Sequence, residues 1–133
     1  MKTYILLFSL LVASSLYGCS QAAPKCGDDK TKGVVIKIAM DKAKESIKDS
    51  TSMNEGRVIS DVQWEKEWPK ISPEVSFTLD NIVTKEFKKD IGTYVCAADL
   101  NYSFRKIKRK IPITYSSELS ADKSHHFIVE VRW

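Results

Sequence analysis

Residues Thr93 to Phe104, TYVCAADLNYSF, alternate without a break, and few patterns leave a chain less choice. Tyr94, Cys96, Ala98, Leu100, Tyr102 and Phe104 fall on one side. Val95, Ala97, Asp99, Asn101 and Ser103 fall on the other. A period of two is the period of a β-strand, whose successive side chains point to opposite faces. Wound as a helix, the same residues would spread their apolar groups around the whole surface. One face of this strand must therefore be covered, and the other can meet water.

The neighbouring segments repeat the signal. EVSFTLDNIVTKEF (74–87) sets Val75, Phe77 and Leu79 together; IPITY sets Ile111, Ile113 and Tyr115 together; HHFIVEVRW (125–133) sets Phe127, Val129 and Val131 together. KKDIG (88–92), RKIKRK (105–110) and SSELSADKS (116–124) read as the turns between them. The spacing predicts a four-stranded antiparallel meander, with Pro112 at an edge or a bulge.

The cover comes from upstream. Across GVVIKIAMDKAKESIKDS, apolar residues recur at three- and four-residue steps: Val35 or Ile36, Ala39 or Met40, Ala43, Ile47. That predicts one amphipathic helix over about residues 32–49, with Asp28, Asp29 and Thr31 as candidate caps. The expected fold class is α+β, one N-terminal helix packed across the meander. Residues 50–73 are less regular. TSMNEG reads as a turn, RVISDVQW as a strand in part, and Pro69 and Pro73 as breakers. Trp64 and Trp68 share a face if their segment is helical, and read either as core or as a platform for stacking sugars.

The first residues bear on location. MKTYILLFSLLVASSLYG has a charged head, an apolar run and a small-residue end, the build of a secretory signal peptide over residues 1–18. Residues 19–32 then read as a tether and 33–133 as a single domain. With Lys2 removed, the 21 basic residues become 20 against 17 acidic ones, a balance of +3. So mild a charge, in an exported chain, gives no reason to expect nucleic acid.

Two cleavage sites compete. Leu16-Tyr17-Gly18-Cys19 resembles the lipobox of bacterial lipoproteins, in which the cysteine is lipidated and becomes the N-terminus. Ser20-Gln21-Ala22 is a small-x-small site for ordinary signal peptidase. The lipobox resemblance implies lipidation at Cys19, a membrane held through that anchor, and, from Ser20, outer-membrane sorting. The alternative is a soluble periplasmic or secreted chain. Either way Cys26 and Cys96 remain, and an even pair in an exported domain points to a disulfide. Free thiols are the other reading. No histidine lies at metal-ligand spacing from either, and no metal or cofactor is expected.

Two further resemblances follow from the strands. FTLDNI (77–82), YVCAADL (94–100) and IPITYSSEL (111–119) are similar to strands of small exported bacterial proteins and lipoproteins of uncharacterised function. The helix-then-meander order resembles cystatin-like and nuclear-transport-factor-like folds in topology alone. The Gln-x-Val-x-Gly wedge of cystatins is absent.

The strongest charge feature is Arg105, Lys106, Lys108, Arg109 and Lys110, five cations in six residues. At a hairpin turn they would make a positive knob for an anionic envelope partner, or a solvated turn that guards a strand edge. Asp80 and Asp99 are candidates for paired carboxylates. His125 and His126 point apart if they lie on a strand and so cannot share an ion. No nucleophile-and-base set is legible, so no enzyme is expected. The expected function is binding of an envelope macromolecule, in the manner of an inhibitor or immunity protein. The alternatives are an accessory or exclusion lipoprotein of an envelope complex, or a small-ligand carrier or enzyme of cystatin-like topology. The oligomeric state is open.

Overall fold

The computed structural model describes residues 22–120 and 126–133. The expected leader, Cys19 and His125 lie outside them. Helix α1 spans Asp29–Glu55, longer at both ends than its apolar stripe predicts. Asp28 caps the start in extended conformation, and its carbonyl accepts from the Lys32 N–H at 2.9 Å. At the far end Ser50 and Thr51 donate their hydroxyls back to the carbonyls of Ser46 and Ile47, at 2.9 and 2.8 Å. These polar groups are thereby satisfied inside the helix rather than breaking it. The stop is Gly56, whose φ of 63° suits a residue without Cβ, with its N–H on the Met53 carbonyl.

RVISDVQW is not a strand. Ser60 caps a second helix, α2, over Asp61–Ile71, its hydroxyl accepting from the Gln63 N–H at 3.3 Å. Pro69 does not end this helix. It lies in the last turn, so only one intrahelical bond is lost before the chain passes into a 3-10 turn at Ser72–Glu74. Two ion pairs tie α2 to α1: Lys44 with Glu65 at 2.5 Å, and Lys48 with Asp61.

Four strands follow in sequence order, all antiparallel: β1 Val75–Lys88, β2 Thr93–Phe104, β3 Ile107–Leu119 and β4 Phe127–Arg132. The fold is α+β, as the alternation and the helical stripe imply. Leu79, Leu100 and Ile111 share one level of the helix-side face, and Cys96, Tyr115 and Val131 another. Val35 and Ala39 of α1 close over Cys96, Ala98, Leu100, Ile113, Tyr115 and Val129 to form the core. Pro112 stands where β4 has already ended, since the last pair between β3 and β4 is Thr114 with Arg132. Its missing N–H therefore faces an open edge.

β1 is the long edge strand. Register shifts between Asp80 and Val83 and between Thr84 and Glu86 interrupt it, and Asn81 takes a φ of 51° at the first. Bulges and the exposed charges Lys85, Glu86 and Lys88 blunt the edge against pairing with another chain.

The segment expected as a tether is folded from Ala23 onward. Ala23, Cys26 and Thr31 are buried. The Cys26 and Cys96 sulfurs are 2.04 Å apart, with Cα atoms 5.7 Å apart, at disulfide geometry. The buried Tyr115 hydroxyl donates to the Cys26 carbonyl at 2.9 Å. Two fastenings thus join the start of α1 to the middle of the sheet. Among the described residues no helix is long and apolar enough to cross a membrane.

Candidate functional site

The hairpin between β2 and β3 turns on two residues only, Arg105 and Lys106, because Phe104 pairs directly with Ile107. The six-residue basic segment is therefore not one knob. Once Ile107 begins β3, the period of two divides the cations between faces. Arg109 shares the helix-side face with its register partner Tyr102, whereas Lys108 and Lys110 join Ser103 and Asn101 on the outer face. The result is a basic arm at one end of the sheet.

Arg105 holds the turn with a φ of 54°, a region that residues with a Cβ rarely occupy. Two contacts fix it there: its Nε meets the Glu74 carboxylate at 2.9 Å, and its guanidinium lies 4.8 Å from the Phe104 ring centre. Lys110 reaches Asp99 at 3.3 Å. Lys106, Lys108 and Arg109 make no ion pair among the described residues, and all three are exposed. Below them the outer face forms a shallow tray of Ser76, Thr78, Asn101 and Ser103, with Lys108 and Lys110 at its side. The tray was hidden in the polar half of the strand alternation, where hydroxyls look like filler.

This surface offers ammonium groups beside hydroxyl donors, which is chemistry for holding anions. It does not offer acid–base chemistry. Asp80 and Asp99 are register partners, as paired carboxylates would need to be. Each is instead taken by an amide: Asn101 donates to Asp80 and Asn81 donates to Asp99, both at 2.6 Å. The Asn81 hydrogen bond first, and the Lys110 ammonium after it, hold the Asp99 carboxyl below its ordinary range. A general base at neutral pH needs the opposite shift.

The consequence for pH has a definite sign. A depressed carboxyl contributes stability above its unfolded value, and that contribution is lost as pH falls through the folded value. Followed by carbon NMR, the Asp99 carboxyl is expected to titrate below an ordinary aspartate, and Asn81→Ala to move its midpoint upward. An unmoved midpoint would show that the amide does not hold the charge.

The tryptophan platform is overturned by burial. Trp64 is 2% exposed, and Trp68 stands against it with ring centres 5.9 Å apart. A ring that is inside has no face to offer a sugar. His126 is exposed. Among the described residues no cluster of three His, Cys, Asp or Glu is placed to hold a metal. Comparisons with protein-family models, with curated proteins and with solved structures find no match to this chain.

Proposed function

We propose that the protein is a non-catalytic binding module of the bacterial envelope, exported and anchored through lipid on Cys19, that holds an acidic protein partner with its basic arm. The observation that carries this reading is the set of three cations without ion pairs, Lys106, Lys108 and Arg109, presented at the end of a hairpin beside the outer-face tray. The arm is rigid because both its strands are paired along their length and Arg105 is held from two sides. A fixed cluster of like charges draws an oppositely charged surface mainly by raising the rate of encounter. The two captive carboxylates favour binding over catalysis, and an inhibitor or immunity role fits a partner met in the envelope.

The test compares wild type with Lys106→Gln/Lys108→Gln/Lys110→Gln. All three lysines are exposed, so stability is expected to change little, by less than about 0.5 kcal/mol per site. Immobilised wild type is expected to retain an acidic protein from envelope extract at low salt. It should release that protein as rising salt shortens screening to about 8 Å and below. The variant is expected to retain much less, and to associate with the purified partner more slowly and with a flatter salt dependence. Identical retention by both proteins would sink the reading.

A further inference from the structure

Helix α1 does not fill the space it covers. Ala39 and Ala43 lie one turn apart on its buried stripe, where a methyl group stands in place of a longer side chain. The shortfall leaves a groove of about 250 Å³ between α1 and the sheet. Leu100 and Ile111 form its floor, and Phe77, Tyr102 and Trp133 its walls. The Phe77 and Tyr102 rings are 5.1 Å apart, so two of the walls form one continuous aromatic surface. One side stays open because β4 ends opposite Thr114 and leaves the earlier part of β3 without a neighbour.

The rim is charged, and with one sign. The Lys42 ammonium lies 4.5 Å from the centre of the Trp133 ring. Arg109 is the register partner of Tyr102 on the same face, and its charge acts on the phenol against the upward push of burial. The Tyr102 hydroxyl has no hydrogen-bond partner among the described residues. No carboxylate lines the groove. Apolar walls select a hydrocarbon, and the Lys42 ammonium at the rim selects an anion at its end. The volume falls below the roughly 300–1,000 Å³ of sites for bulky ligands, which suits one slender chain.

We propose that this groove binds a single acyl chain ending in a carboxylate, with the chain on the aromatic walls and the head at the Lys42 ammonium on its rim. The site is separate from the outer-face tray, since it lies on the opposite side of the sheet. It gives the protein a second ligand of a different class from the partner of the basic arm.

The experiment is calorimetric titration of the whole mature chain with dodecanoate, decanoate, dodecanol and dodecyltrimethylammonium, each below its micelle concentration. Dodecanoate is expected to bind once per chain. Each buried methylene is worth about a fourfold gain, so dodecanoate, with two more, should bind about fifteenfold more tightly than decanoate. The trimethylammonium amphiphile should bind much more weakly than dodecanoate. Lys42→Gln changes one exposed residue and is expected to fold normally. It should weaken dodecanoate severalfold and leave dodecanol unchanged. Ala43→Phe, checked for folding by circular dichroism, should fill the groove and abolish binding of both. Three results overturn the proposal: no binding of dodecanoate to wild type, equal affinity for both charged amphiphiles, or unchanged dodecanoate affinity in Lys42→Gln. A wild-type dimer that Ala43→Phe dissociates would likewise overturn it, by assigning the groove to a second copy of the chain.

Discussion

Replacing Cys26 and Cys96 together by alanine is expected to lower stability by about 4 kcal/mol, the largest effect of any change considered for this chain. The two cysteines are 70 residues apart in sequence. A cross-link over so long a loop removes many conformations from the unfolded chain, and the expected loss comes chiefly from restoring them. Both side chains are buried, so alanine adds no unpaired polar group where serine would. The Tyr115 hydrogen bond to the Cys26 carbonyl remains in the variant and limits local loosening. Denaturant unfolding of the non-reduced wild type against the double variant measures the difference. Mass spectrometry of the exported wild type should show the two cysteine peptides joined. A difference below about 1 kcal/mol would mean that the bond is not formed in the native protein, or that the unfolded chain is already compact there.

Leu100→Ala is expected to cost about 3 kcal/mol. The side chain is fully buried in the middle of β2, between Leu79 and Ile111 and beneath α1. Removing most of it forfeits its transfer from water and leaves a cavity, a loss that runs from about 2 to 5 kcal/mol in well-packed cores. The lower half of that range applies because Leu100 also floors the open groove, so the new space joins an existing one rather than standing as a sealed void. Thermal or denaturant unfolding gives the number. A cost under about 1 kcal/mol would place Leu100 outside the cooperative core.

The strands were legible because a period of two needs no context. The same rule reached helix-side residues in all four strands, Cys96 and Leu100 among them, but missed Ile82 beyond the bulge at Asn81. Helix α1 was legible in its middle, where burial writes the pattern, and illegible at Ser50 and Thr51, whose hydroxyls turn back onto the preceding carbonyls. Helix α2 carried its own signal, Ser60 followed three residues later by Gln63, the spacing of a capping box. The apolar residues around it, Val58, Ile59 and Val62, imitate a strand, and Pro69 imitates a stop. The length of the β2–β3 turn left no trace at all. A two-residue hairpin normally announces itself with Gly or Asn, and here Arg105 takes the positive φ instead. Once the turn is known to be two residues, the division of the cations between faces follows from the strand rule alone.

The fastening of Cys26 to Cys96 also decides how the protein would carry a mechanical load. A pull on the residues before Ala22 reaches the cross-link at Cys26, ahead of α1 rather than through it. It crosses to β2 at Cys96 and runs along that strand for nine residues, about 30 Å, to the turn at Arg105. A partner gripping the basic arm while the N-terminal side is held in place would thus stretch one central strand, with its ladders to β1 and β3 loaded in shear. The long helix and its groove lie outside the line of tension, and would keep their shape while the protein is under strain.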